Sequence, residues 1–248
     1  MRNRFLGSVL AVVAVLASSP GTLAQQPGAA KAPPSATPDL SGVWMVGRGY
    51  RGFNRKEPPP MQPWAEEIYK VTREGISDPE DKGRDDKDPI INCAPPGPTR
   101  LFALPRPFEI IPIPGRVLLL FEWDHWVRQI YTDGREHPED PDPTWMGHSI
   151  GRWDGDTLVV DTVGLNDKTW LDGLGHPHSD ALHIVERIRR TAQDTLQIEF
   201  TFDDPKAYTK PWTGTQVFRL RPGWEIPEQI ICEDHLLERV VPYAHQPR

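Results

Sequence analysis

The sequence predicts an all-β fold: an antiparallel β-barrel of about eight to nine strands, with a long N-terminal loop region and one short helix. Three observations support this prediction. From Pro107 onward, short apolar segments are separated by turn residues. Several of these segments alternate apolar and polar side chains with the period of a strand. Only one segment of the chain has a helical pattern.

A signal peptide is predicted over residues 1–24, which are therefore excluded from the fold. Arg2 and Arg4 precede an apolar run over residues 5–17, and the residues before Gln25 fit a signal-peptidase cleavage site. The run is shorter than the roughly 20 residues that cross a bilayer, and no Cys follows Ala24 to carry a lipid. We therefore expect a periplasmic or secreted protein with no membrane anchor.

A disordered linker is predicted over residues 25–38, where Pro, Ala, Gly, Gln and Ser predominate. Residues 39–248 then predict a single domain. The chain has a net charge of −7 and no basic stripe. This charge pattern argues against nucleic acid and anionic membranes as partners.

The first part of the domain contains one predicted strand and one predicted helix. The strand covers residues 39–46, and the region up to residue 107 is rich in Pro, Gly and charged residues. Pro63 suits the first turn of a helix, so a short helix is predicted from Pro63 to about Glu74.

The other strands are predicted from apolar segments bounded by turns. The turns include Pro114-Gly115, Asp133-Gly134 and Asp154-Gly155-Asp156, the last of which is a strong hairpin signal. The predicted strands cover residues 108–112, 116–123, 125–132, 149–153, 157–163, 181–190, 195–202, 216–221 and 229–233.

Polar residues inside these strands allow two interpretations. Leu196, Ile198 and Phe200 share one face of their strand, as expected for a core face. Glu122 and Arg128 fall at alternate positions of the segment 118–128. They either line a polar cavity, since a barrel of eight strands can hold one small ligand, or face water.

The two cysteines, Cys93 and Cys232, are far apart in sequence. In an oxidising compartment they predict a disulfide that links the N-terminal loop region to the end of the chain. The alternative is two free, buried thiols.

Two resemblances follow from motifs. Gly42 and Trp44 in the first strand, followed by hairpin-rich sequence, resemble the calycin group of lipocalin-like barrels, which implies a calycin-like barrel. The block from Pro107 to Trp212 is similar to a family of exported bacterial proteins with motifs of the type WMGHSIGRW and DGDTLVVDT. This family resemblance implies secretion and a β fold, and it implies no activity. The matching runs are residues 128–135, 145–162, 166–170 and 203–212.

A metal site is one prediction from the histidine-rich segment. His176 and His178 are one residue apart, so in an extended segment they point to the same side and can share a metal ion. Asp180 and Glu186 complete the predicted ligand set for one divalent cation. The alternative is that these histidines cap turns or transfer protons.

Acid–base catalysis is the second prediction from this region. His148 lies between Trp145 and Trp153, where half-apolar surroundings can bring its pKa near neutrality. A histidine that only bonds a backbone carbonyl is the alternative. The other catalytic candidates are His178, His183, the possible substrate clamp Arg152, and the possible acids Tyr131 and Tyr208.

Aromatic residues predict substrate contacts. Trp145, Trp153, Trp170 and Trp212 fall at loops or strand ends, where they could stack on a sugar or an aromatic ring. They could equally belong to the core. Arg128 is predicted to contact substrate, or else to form a structural pair with a carboxylate.

Together these residues predict an exported enzyme with a His/carboxylate site. It would act as a lyase, hydratase or hydrolase on a small polar, aromatic or carbohydrate-derived substrate. The alternative is a periplasmic, lipocalin-like ligand-binding protein without turnover. A structural envelope protein is a third interpretation, against which the lack of repeats and of a lipid anchor counts.

Overall fold

The computed structural model describes residues 38–47, 51–77, 88–228 and 231–232. The predicted signal peptide and the predicted linker, except Pro38, lie outside the described residues. So does most of the strand predicted over residues 229–233, of which Ile231 and Cys232 are described and are not in a strand.

Nine strands close into one barrel in chain order, which confirms the predicted all-β barrel. Their lengths follow the apolar segments of the sequence to within a few residues. The strands are β1 (Gly42–Val46), β2 (Phe108–Ile113), β3 (Arg116–Phe121), β4 (Val127–Tyr131), β5 (His148–Asp154), β6 (Thr157–Val163), β7 (His183–Ala192), β8 (Thr195–Asp203) and β9 (Trp212–Leu220).

One pair of neighbouring strands departs from the predicted antiparallel arrangement. Strands β4 and β5 are parallel and pair only through Ile130 with Ser149 and Tyr131 with Ile150. The other neighbouring pairs among the described strands are antiparallel, including β1 with β9, which closes the barrel. The β4–β5 seam is therefore a short one, held by few backbone hydrogen bonds.

The barrel interior is apolar over most of its length. Leu196, Ile198 and Phe200 point inward and are completely buried, as the alternation in β8 predicts. A five-residue helix, α2 (Pro98–Phe102), is buried along its whole length. Its Phe102 ring lies 5.0–5.8 Å from four rings on β2, β3, β8 and β9. Phe102 thus occupies interior space that a lipocalin-like protein leaves for its ligand.

The longest described helix, α1 (Pro63–Ser77), begins at the predicted proline and extends slightly beyond the predicted end. It packs on the loop that follows β6. The Tyr69 ring stacks on His176 with 4.4 Å between centroids. Gly175 has φ +86°, and a Cβ there would lie 2.2 Å from Thr72 Cγ2. Only glycine therefore allows this close approach. None of the described helices is long and apolar enough to cross a membrane.

Cys93 and Cys232 form the predicted disulfide, with their Cα atoms 5.5 Å apart. The bond joins positions separated by 139 residues. The Cys232 backbone N–H also donates to Asp124 Oδ1 at 3.2 Å. These contacts fix the end of the described chain against the turn between β3 and β4.

Candidate functional site

A cluster of histidines and one aspartate lies on the outer face of strands β4 to β7. Tyr131, His148, Asp161 and His183 each occupy one strand, and each is partly exposed. Their sequence neighbours Ile130, Ser149, Thr162 and Ile184 are buried on the inner face. Because side chains alternate across a strand, the four residues share one face of the sheet.

His137 joins this cluster from the connection between β4 and β5. Its Nδ1 lies 2.8 Å from His148 Nδ1, and its Nε2 lies 3.1 Å from Asp161 Oδ1. His183 Nε2 lies 2.9 Å from the same carboxylate oxygen. Asp161 Oδ1 thus accepts hydrogen bonds from two imidazole rings. We call these five residues the His–Asp cluster: Tyr131, His137, His148, Asp161 and His183.

The hydrogen bonds assign the protons of this cluster. An ionised carboxylate only accepts, so His137 and His183 both donate N–H from Nε2 to Asp161. A neutral His137 then has a bare Nδ1, which accepts the Nδ1–H of His148. In neutral His148 the remaining nitrogen, Nε2, carries a lone pair. It has no hydrogen-bond partner in the part of the chain that the structure describes.

The surroundings of His148 favour its neutral form. Partial burial lowers the pKa of His148 below its ordinary 6.5, and the neighbouring His137 and Arg135 lower it further. The Tyr131 ring stacks on His148 at 5.5 Å, and the Arg135 guanidinium lies 3.8 Å from the centre of the Tyr131 ring. Arg135 is itself held by Asp133 through three side-chain hydrogen bonds. His148 is therefore available as a base near neutral pH.

The four predicted metal ligands are not brought together. His176 Nδ1 lies 2.8 Å from Asp172 Oδ1, His178 Nε2 lies 2.7 Å from Thr169 Oγ1, and Asp180 pairs with Lys206 on the surface. Glu186 is inside the barrel. Among the described residues, no group of three or more His, Cys, Asp or Glu side chains is placed to hold a metal ion.

His176 and His178 are buried beneath α1, with partners that differ from those of the His–Asp cluster. His178 donates from Nδ1 to the Ser179 carbonyl at 3.0 Å and accepts from the Thr169 hydroxyl. Burial lowers the pKa of His178, so it stays neutral. The predicted catalytic role of His178 would thus be separate from that of His148.

Tyr208 and Trp212 belong to the core. The Tyr208 hydroxyl donates to the Pro177 carbonyl at 2.7 Å, and burial raises the pKa of Tyr208 well above 10. The Trp212 ring stacks on Phe202 at 4.2 Å. These contacts match the structural alternative for both residues rather than contact with substrate.

Arg128 and Glu186 form a buried ion pair inside the barrel. Arg128 is 2% exposed and Glu186 is fully buried, and the guanidinium binds both carboxylate oxygens. Arg128 also donates to Thr162 Oγ1 at 3.0 Å and to Ser149 Oγ at 3.2 Å. Arg128 is therefore inaccessible to substrate, and the structural pairing with a carboxylate is the alternative that the contacts support.

The remaining predicted residues lie at the surface or at its edge. Arg152 is exposed and shares the outer face of β5 with His148, about 13 Å along the strand. Trp153 is partly buried and packs against the core. Trp145 and Trp170 each line a surface cavity.

The fold and site together define a closed nine-stranded barrel with an acid–base cluster on its outer wall. No family model matches the sequence, and no curated protein is significantly similar to it.

Proposed function

We propose that the protein is an enzyme in which His148 acts as a general base. The reaction would be that of a lyase, hydratase or hydrolase on a small polar, aromatic or carbohydrate-derived substrate. The observation that carries this proposal is the hydrogen-bond chain from His148 through His137 to Asp161. Such a chain fixes the tautomer of the base and stabilises the cation that forms when it takes a proton.

The proton transfers follow from this arrangement. His148 Nε2 takes a proton from the substrate or from a water molecule, and the ring becomes an imidazolium. Its Nδ1–H can then move to His137 Nδ1, while His137 Nε2–H remains bound to the Asp161 carboxylate. Returning the proton from His148 to the leaving group or to the product restores the starting state. His183 and Tyr131 are the nearest additional proton donors.

The interior packing disfavours the alternative of a lipocalin-like binding protein. Phe102 and the Arg128–Glu186 pair occupy space inside the barrel. The histidines and the aspartate of the His–Asp cluster lie on the outer wall instead, where they are partly exposed.

The test is an activity screen with the mature protein, starting at Gln25, against a library of metabolites and glycans. For the substrate found, we expect His148→Asn to lower kcat by about 100-fold or more, the usual contribution of a general base. His125→Asn is the matched control, because His125 binds the Pro227 carbonyl away from the cluster. Turnover that survives His148→Asn at the parent rate would refute the proposal.

We also propose that the protein is exported to the periplasm or secreted. The disulfide supports this, because such bonds persist mainly in oxidising compartments.

A further inference from the structure

Two surface cavities share part of their lining, and we refer to them together as the cleft. One has a volume of about 500 Å³ and lies between α1 and the segment 167–179. The other has a volume of about 620 Å³ and is lined by residues 143–145, 166–168 and Asp180. They share Asp167 and Lys168 as walls. Each alone is within the usual range of ligand sites, about 300–1,000 Å³.

Three tryptophans line this cleft. Trp64 is 40% exposed, and its indole N–H donates to the Lys206 carbonyl at 2.8 Å, which fixes the ring at the surface. Trp170 also lines this cavity but is only 9% exposed, whereas the partly exposed Trp145 lines the other cavity. The ammonium of Lys168 lies 5.8 Å from the centre of the Trp145 ring. An exposed indole held in place is a flat apolar platform with little entropy left to lose on binding.

The polar groups of the cleft are balanced in charge. Asp167 and Asp180 supply two carboxylates, and Lys168 and Lys206 supply two ammonium groups. Lys206 and Asp180 are 2.6 Å apart, and this contact lowers the pKa of Asp180 and raises that of Lys206, so both stay charged. Such a set can both donate and accept hydrogen bonds, as hydroxyl groups require, without favouring an anion.

Two residues that line the second cavity are close in sequence to residues of the His–Asp cluster. Trp145 and Asp180 each precede a cluster residue, His148 and His183 respectively, by three positions. Three residues span at most about 11 Å. The Cα atoms of Trp145 and Asp180 therefore lie within about 11 Å of the Cα atoms of His148 and His183, respectively.

We propose that this cleft binds a neutral oligosaccharide and directs it towards His148. The apolar faces of sugar rings stack on Trp64 and Trp145, and the hydroxyl groups bind the carboxylates and ammonium groups between them. That the oligosaccharide is directed towards a reacting centre rests on the proposed function. That the cleft binds an oligosaccharide does not depend on the proposed function.

The experiment measures binding by isothermal titration calorimetry with His148→Asn, so that turnover does not interfere. The probes are cello-, xylo- and manno-oligosaccharides, with polygalacturonate as the anionic comparison. We expect at least one neutral probe to bind, and Trp64→Ala to weaken it by about tenfold or more. Trp224→Ala is the matched control, because Trp224 is similarly exposed but lies outside the cleft. The affinity of this control variant for the neutral probe should equal that of the His148→Asn protein.

Three results would overturn the inference: no binding of any neutral probe, an unchanged affinity in Trp64→Ala, or tighter binding of polygalacturonate. Trp145→Ala gives an independent test from the other end of the cleft and should weaken the same probe. Binding of a neutral probe, together with no turnover of any compound in the activity screen, would refute the proposed enzyme and leave the oligosaccharide site intact. The two failures are therefore distinguishable.

Discussion

The two ring nitrogens of His148 have different roles because a neighbouring ring fixes the position of one proton. Nδ1 donates to His137, whose other nitrogen is committed to Asp161. This leaves Nε2 of His148 as the basic atom. The same carboxylate orients His183. One aspartate thus holds His137 and His183 directly and His148 through His137, so loss of Asp161 would disturb all three rings at once.

The charge of Arg135 is expected to tune the pKa of His148. Because Arg135 and His137 add to the lowering by burial, kcat/KM should rise with pH through a pKa below 6.5 and be constant near neutrality. Below that pKa the imidazole is protonated and the base is lost. Arg135→Gln removes a nearby positive charge, so the pKa of His148 should rise and the acid limb should move to higher pH.

NMR titration of the His148 ring measures this shift directly and needs no substrate. Arg219→Gln is the control, because Arg219 is also an exposed arginine beside a carboxylate, Asp194, but lies on β9. A His148 pKa that does not change, or that falls, in Arg135→Gln would contradict the assigned cause.

Three of the five residues of the His–Asp cluster were predicted from the sequence, whereas Asp161, on β6, and His137, on a loop, were missed. Tyr131, His148 and His183 were predicted as catalytic candidates, and strand alternation brings them to one face. His137 was not singled out, because the connection that carries it has no periodic pattern. His176 and His178 were expected to point to the same side, but they lie in an irregular loop with a proline between them and have separate partners.

At the scale of the elements, Arg128 reinforces the weakest seam of the barrel. It lies on β4 and binds side chains on β5, β6 and β7, namely Ser149, Thr162 and Glu186. Ser149 and Thr162 are the immediate neighbours of His148 and Asp161, on the opposite face. The ion pair inside the barrel therefore helps to set the spacing of the strands that carry the cluster outside.

Removing one member of this pair should be costly. We expect Arg128→Met to lower the free energy of unfolding by about 3–5 kcal/mol, because it leaves the Glu186 charge buried and unpaired. The double variant Arg128→Met/Glu186→Leu should recover most of this loss. Urea unfolding measures both.

Arg187→Met provides the control, because Arg187 lies on the outer face of β7, the strand that carries Glu186. Arg187 pairs with Asp154 at 2.9 Å in an exposed position, so its loss should cost about 1 kcal/mol or less. A double variant no more stable than Arg128→Met alone would show that the ion pair stabilises the barrel in a way that apolar packing cannot replace.

The strands were predictable from the sequence because each follows an alternating or apolar segment bounded by turns. The parallel pairing of β4 and β5 was not, since nothing local distinguishes it from a hairpin partner. The helix α2 was also missed. Pro95, Pro96 and Pro98 read as an irregular loop, and only long-range packing of Phe102 against four strands explains why this segment is helical and buried.

At the scale of the whole molecule, the disulfide joins the loop region between α1 and α2 to the segment that follows β9. Closing a loop of this length stabilises a protein by on the order of 5 kcal/mol in the chain-entropy model. We expect the double variant Cys93→Ser/Cys232→Ser to unfold at a markedly lower temperature than the wild type. A reductant should lower the melting temperature of the wild type and leave that of the double variant unchanged. Equal melting temperatures with and without reductant would contradict this role.

Export is checked on the same protein. Expression of the full chain in a bacterial host should give a periplasmic form whose intact mass corresponds to a start at Gln25 and to an oxidised cysteine pair. A cytoplasmic form that retains residues 1–24 would refute export.

The parallel seam also determines where the protein can vary. Parallel neighbours cannot be joined by a tight turn and need a crossover of about a dozen residues or more. Here the crossover covers residues 132–147 and carries Arg135, His137 and Trp145. If β4 and β5 were joined by a tight hairpin turn, the connection would be too short to carry these three residues. Changes in the length or composition of this crossover could therefore alter specificity while the barrel that supports it stays the same.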